Sequence, residues 1–151
     1  MEDQKTVFTS SVDETEAFGS SLAKEIQNDP ALPSFVALCG DLGVGKTAFV
    51  RGFVSVISPA STVRSPTFSL VNEYRSAKTP VFHFDLYRIE DEDDLASIGY
   101  DDYLTRKGIC LVEWSEKIPE ALPKRRFVVS IEKDNPAFPD HRKITLKRLE
   151  G

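Results

Sequence analysis

Cysteine is scarce in this 151-residue sequence: there are two, beside one methionine and one tryptophan. Cys39 and Cys110 lie in the apolar runs "FVALCG" and "GICLVEW", and no Cys-x-x-Cys or Cys/His spacing offers a zinc ligand set. Buried free thiols are expected, with no disulfide. Long hydrophobic runs are also missing. The apolar stretches are far too short to span a bilayer, and no signal-peptide pattern opens the sequence, so the expected location is cytoplasmic. Positive charge is in deficit, 19 Lys and Arg against 24 Asp and Glu, for a net charge of −5. That balance excludes a chain that binds nucleic acid electrostatically over its whole surface. "KRR" at 124–126 and "HRKITLKR" at 141–148 are local exceptions, read as solvated faces or as contacts to phosphate or an acidic partner. The remaining composition, 40% hydrophobic and 28% charged, is that of a globular chain, and 151 residues predict one domain with a sizeable core.

Against these absences stands one dense motif. Gly40-Asp41-Leu42-Gly43-Val44-Gly45-Lys46-Thr47 fits G-x-x-x-x-G-K-[ST] at every fixed position. "SFVALC" before it has the length of a buried strand, and Phe49, Val50, Phe53, Val54 and Ile57 after it recur at helical spacing. Strand, glycine-rich turn and helix is the context that gives the motif its meaning. The glycines let backbone N–H groups curl around phosphate oxygens, and the helix N-terminus adds a partial positive charge. Lys46 would reach the β- and γ-phosphates and the Thr47 hydroxyl would ligate Mg²⁺. Gly52, inside the helix, costs about 1 kcal/mol relative to alanine, and close packing against a neighbouring element is its expected reason.

Along the chain, "KTVFTS" reads as a strand and Glu14–Asn28 as a helix capped by Ser11 or Asp13. "TFSLVNEYRS" and "PVFHFDLYRI" read as a hairpin about "SAKTP", and "EDEDDLASIG" as a short helix. "GICLVEW" is a buried strand, "SEKIPEALP" a loop, and "RFVVSIE" and "RKITLKRL" two late strands. The alternation predicts an α/β layered fold like that of P-loop NTPases, with a central mixed sheet flanked by helices.

A nucleotide hydrolase needs a carboxylate near Mg²⁺ and a group that positions water, both gathered at the C-terminal ends of strands. Asp85 ends "VFHFD" and Glu113 ends "ICLVE". Each could instead meet solvent or pair with an arginine such as Arg88. His83 shares the strand face of Asp85 and reads either as a metal ligand or as a histidine hydrogen-bonded beside the site. Trp114 either covers the nucleotide or packs in the core. Thr67, in "SPTF", lies where a switch segment would sense a γ-phosphate, or in an ordinary turn. The guanine-reading Asn-Lys-x-Asp is absent, which weakens a GTPase reading. A small-molecule kinase would need an arginine-rich lid, for which only "KRR" is available. A non-hydrolysing nucleotide-dependent binding module remains a third reading. Arg51, Arg64 and Arg88 are the candidates for a cis arginine finger, each with a plain surface or salt-bridge alternative.

"GDLGVGKTAFVRGF", "SPTFSLVNEY", "FHFDLYRI" and "ICLVEW", in this order and spacing, resemble the TsaE (YjeE) family of small bacterial ATPases needed for threonylcarbamoyladenosine modification of tRNA. The likeness runs from the N-terminal helix through Trp114 and loosens beyond it. It implies ATP and Mg²⁺ as cofactors, weak intrinsic hydrolysis, and action with TsaB and TsaD, tRNA being met through that complex. Carried over, Asp41, Leu42, Gly43, Val44, Gly45, Lys46 and Thr47 hold the phosphates, Thr47 and Glu113 serve Mg²⁺, and Lys46, Asp85 and Glu113 form the catalytic set. Thr67 and Trp114 would face the nucleotide. Val12, in the segment Ser11–Thr15, would lie near the adenine, and Arg142 falls where the family places a late basic residue.

Overall fold

The computed structural model describes residues 2–40, 43–64, 66 and 69–151. Seven strands form one mixed sheet in the order β1-β7-β6-β2-β5-β4-β3. They are β1 (Glu2–Thr9), β2 (Phe35–Cys39), β3 (Val71–Tyr74), β4 (Val81–Asp85), β5 (Ile109–Glu113), β6 (Arg125–Lys133) and β7 (Arg142–Glu150). The central strands β6, β2, β5 and β4 run parallel, whereas β3, β7 and β1 join antiparallel at the two sides. The α/β class with a mixed sheet is therefore as expected.

Side-chain alternation along the parallel strands divides the core between the two faces of the sheet. Val36, Leu38, Leu111 and Val129 pack with Phe18, Leu22, Phe49 and Phe53 of α1 (Val12–Asn28) and α2 (Lys46–Ile57). On the opposite face Phe35, Ala37, Phe82, Phe84, Cys110 and Val112 pack with Leu86, Leu95, Tyr100 and Ile118. Ser11 is the cap of α1: its Oγ accepts from the Glu14 N–H at 3.1 Å, and the Glu14 carboxylate accepts from Ser10 in return.

The expected close packing at Gly52 involves α1. A Cβ on Gly52 would lie 1.8 Å from the Glu16 carbonyl oxygen, and one on Gly19 would lie 2.2 Å from that of Phe49. Two helical glycines thus let the helix backbones touch, and Ser20 Oγ donates to the Gly52 carbonyl at 2.9 Å across the crossing.

Several boundaries differ from expectation. β3 covers only Val71–Tyr74, because Leu70 has a left-handed φ of 68° that ends the extended run, and Thr67 and Phe68 lie outside the described residues. β4 stops at Asp85, whose Oδ1 accepts from the Tyr87 N–H at 3.0 Å and turns the chain. The acidic helix is α3 (Glu92–Ser97), capped by Asp91, and a further short helix, α4 (Tyr100–Thr105), follows it. "SEKIPEALP" holds two 3-10 turns. Cys110 is buried as expected, but Cys39 is only half-buried. No helix among the described residues is long and apolar enough to cross a membrane.

Candidate functional site

β2 runs into the glycine-rich loop, and the loop into α2. Gly40 is fixed there by space: with φ 144°, a Cβ would sit 2.6 Å from the Ile131 carbonyl of β6. Gly45 takes the left-handed conformation (φ 106°) immediately before α2, and no side chain caps that helix. Its first amide groups are therefore available to an anion. Asp41 and Leu42 lie outside the described residues, as does Thr67.

Lys46, the first residue of α2, is buried to 5% exposure. Its Nζ donates to the Gly40 carbonyl at 2.7 Å and sits 4.0 Å from the centre of the Trp114 ring. The ammonium is thus held by a loop carbonyl and by the π-face of an indole, both neutral, and no carboxylate pairs with it among the described residues. Trp114 itself has φ 59°, a conformation that bulky residues seldom adopt. This turn directs the ring back over the lysine, with Tyr87 packed against it at 5.0 Å. The ring also packs against the second core cluster, on the opposite face of the sheet, so it touches both the lysine and the core. Thr47 follows on the exposed side of the helix start.

Asp85 and Glu113 are paired neighbours at the C-terminal ends of β4 and β5, both 7% exposed. They share the face on which α1 and α2 pack, as does His83. The histidine is 1% exposed; its Nε2 stands 2.6 Å from Glu113 Oε2 and its Nδ1 3.3 Å from the Tyr74 hydroxyl. Both ring nitrogens are engaged by protein, so the hydrogen-bonded reading of His83 replaces the metal-ligand one.

Arg142 reaches the loop from the start of β7. Its Nε donates to the Val44 carbonyl at 2.7 Å and its Nη2 to that of Gly43 at 3.5 Å, while Nη1 donates to Pro139 and His141. The guanidinium braces the loop from behind. The first turn of α1 borders it too: a Cβ on Gly45 would lie 3.7 Å from Thr15 Cγ2, and Thr15 is hydrogen-bonded to Thr9 at 2.8 Å. Val12 opens that turn and is half-exposed. Of the arginine-finger candidates, Arg51 pairs with Glu16 at 3.4 Å on the surface, and the Arg64 backbone is held by Tyr74.

The sequence profile of the family described as "Threonylcarbamoyl adenosine biosynthesis protein TsaE" matches residues 9–144. The chain belongs to the TsaE family. Among proteins named tRNA threonylcarbamoyladenosine biosynthesis protein TsaE, that of Bacillus subtilis is 42% identical over 110 residues, 73% of this chain and 66% of that one. The TsaE of Haemophilus influenzae is 45% identical over 97 residues, 64% of this chain and 61% of the relative. The chain thus spans just under two thirds of the length of these two relatives. The crystal structure of Bacillus subtilis YdiB superposes with a TM-score of 0.79 at 31% identity, covering 99% of this chain and 88% of that one. The matched span runs from the last residue of β1 into β7.

Sequence reasoning did not find Tyr74 or the partnership of His83 with Glu113. The available signal was a polar residue at an inward position of a strand otherwise filled with Val and Phe.

Proposed function

We propose that this chain is a Mg²⁺-dependent ATPase that acts in threonylcarbamoyladenosine modification of tRNA, together with TsaB and TsaD homologues. The observation that carries the reading is Lys46, a nearly buried ammonium at the start of α2 that has no carboxylate partner among the described residues, on a glycine loop that follows β2, the strand beside β5. A triphosphate supplies the anion that such a site is shaped to take. In binding, the Lys46 ammonium would exchange the Gly40 carbonyl for β- and γ-phosphate oxygens. Backbone N–H groups of the loop and of the α2 start would fix the phosphates, with Arg142 keeping the loop in register.

The carboxylates of Asp85 and Glu113 and the hydroxyl of Thr47 are oxygen donors, the kind that suits a hard cation such as Mg²⁺. Thr47 and Glu113 would hold it, and the metal would neutralise charge developing on the transferred phosphoryl group. Asp85, at the neighbouring strand end, would orient the attacking water. Trp114 covers the lysine and would exclude solvent from the phosphates.

The kinase reading lacks support from the basic cluster it needs. Arg125 and Arg126 begin β6, at the end of the sheet away from the loop, where Arg125 pairs with Glu150 at 2.8 Å.

Lys46→Ala tests the reading. A charge-assisted contact of about 1.5–3 kcal/mol would be lost, weakening a fluorescent ATP analogue by about tenfold or more. Phosphate release without any acceptor, rising when TsaB and TsaD are added, separates an ATPase from a kinase or a binding module. Wild-type affinity in Lys46→Ala would remove the loop from the mechanism. Undiminished modified adenosine in tRNA after depletion of the protein would remove it from the pathway.

A further inference from the structure

We propose that His83 is a positioning residue that fixes the Glu113 carboxylate and, through Tyr74, ties it to the backbone of Arg64, so that the segment entering "SPTF" responds to the state of the metal-side carboxylate. The inference rests on the reading of Glu113 as a group that serves Mg²⁺-nucleotide.

The chain of contacts is continuous. Glu113 Oε2 lies 2.6 Å from His83 Nε2, and His83 Nδ1 lies 3.3 Å from the Tyr74 hydroxyl. The same hydroxyl accepts from the Arg64 N–H at 3.2 Å and stands 3.1 Å from the Arg64 carbonyl. Asn72, which faces His83 across the β3–β4 ladder, donates its Nδ2 to that carbonyl at 2.9 Å. His83 is 1% exposed and Tyr74 6%, so water does not offer either group an alternative partner of equal access.

Packing alone does not call for these residues. Val81 and Leu111, on the same face, are aliphatic, and an aliphatic residue at position 83 would avoid the desolvation of an imidazole. The polar groups are satisfied only as a set. In the neutral ring, a proton on Nε2 donated to the carboxylate leaves Nδ1 as an acceptor for Tyr74. The tyrosine has a single hydroxyl proton, which serves His83 Nδ1 or the Arg64 carbonyl but not both. Drawing the Glu113 carboxylate toward a cation therefore alters the hydrogen bond at Nε2, and with it the demand at Nδ1. The far end of the line is the backbone one residue before Ser65.

Partners of this kind orient metal-side ligands, and their loss lowers metal affinity by about 10–100-fold. The test measures ATP affinity with Mg²⁺ and with EDTA in the wild type, His83→Leu, His83→Gln and Tyr74→Phe, with melting curves to certify folding. It also follows trypsin cleavage after Arg64 with and without Mg²⁺-ATP. His83→Leu is expected to lose about tenfold of the gain that Mg²⁺ confers while keeping its affinity in EDTA. His83→Gln, which retains a donor to Glu113, recovers most of that gain. Tyr74→Phe keeps the ring and removes one oxygen, so it is the milder change and tests the line independently of His83→Leu. It is expected to abolish the protection that Mg²⁺-ATP gives the bond after Arg64. An undiminished Mg²⁺ gain in folded His83→Leu, or unchanged protection in Tyr74→Phe, overturns the proposal while leaving the ATPase reading intact. A wild type with no Mg²⁺ gain at all overturns both.

Discussion

Replacing Gly52 with alanine sets two effects of opposite sign against each other. Alanine is the better helix former by about 1 kcal/mol, so an exposed glycine in a helix would gain from the change. At position 52 the new Cβ would lie 1.8 Å from the Glu16 oxygen and 2.7 Å from its carbonyl carbon. Both are backbone atoms, so no rotamer change relieves the overlap. Reaching even a 3.0 Å contact requires α1 and α2 to part by about 1.2 Å, which also strips the Ser20–Gly52 hydrogen bond. Overpacking of this kind costs about 1–3 kcal/mol, and a backbone clash belongs at the upper end. The net effect is a loss of about 2 kcal/mol. For a chain of this size each kcal/mol moves the midpoint by about 2–4 °C, so Tm should fall by about 4–8 °C. Thermal and urea unfolding measure it, with an unchanged m-value certifying the same unfolded state. Arg51→Ala is the control on the same helix, since it removes only an exposed ion pair worth about 0–1 kcal/mol. Adding Gly19→Ala should cost less than it does alone, because helices already parted accept the second methyl. A Tm at or above that of the wild type would refute the reasoning, for it would mean that the helices separate without cost and propensity decides.

Arg142→Met should weaken ATP binding by about tenfold, because it removes charge-assisted hydrogen bonds to the loop carbonyls of Val44 and Gly43 while leaving every phosphate-facing group in place. Calorimetric titration checks this, and wild-type affinity would show that the loop holds its own shape. Burial pushes the Cys110 thiol up to about 12 from an ordinary 9.0. Its thiolate fraction at pH 8 is thus about a thousandfold below that of a free thiol, and should grow about tenfold per pH unit up to that value. Mass spectrometry after limited alkylation should find Cys39 modified first, since it is half-buried, although burial also raises its thiol. Equal labelling of the two at pH 8 would contradict the burial of β5.

The motif around Lys46, the strand-end acids and the apolar runs were legible because each is local: a few adjacent residues carry the pattern, and periodicity reports the buried face. α4 was not. "YDDYLT" has little helix propensity, and the segment is helical because Tyr100 inserts edge-on against Phe84, a contact made across the opposite layer. The His83–Glu113 pair was equally hidden, since the two are 30 residues apart and meet only through the parallel register of β4 and β5. Arg142 could be placed by family likeness but not explained by it. Its function as a brace depends on the antiparallel return of β7 beside β6, which no spacing in the sequence encodes.

That return has a consequence for the order in which the molecule can be made. Among the described residues β1 pairs with β7 alone, from Glu2 opposite Leu149 to Thr9 opposite Arg142. A ribosome delivers residues 2–9 well before residues 142–150, so β1 must wait, without its β7 ladder partner, while the intervening chain is synthesised. At about 5–20 residues per second the wait is on the order of ten seconds. Until then Phe8 and its neighbours form an open edge of the kind that pairs with other chains. Arg142 arrives with β7, so closing the sheet and bracing the phosphate loop happen together. A chain cut short before β7 would carry the entire glycine motif and still lack the strut that holds it.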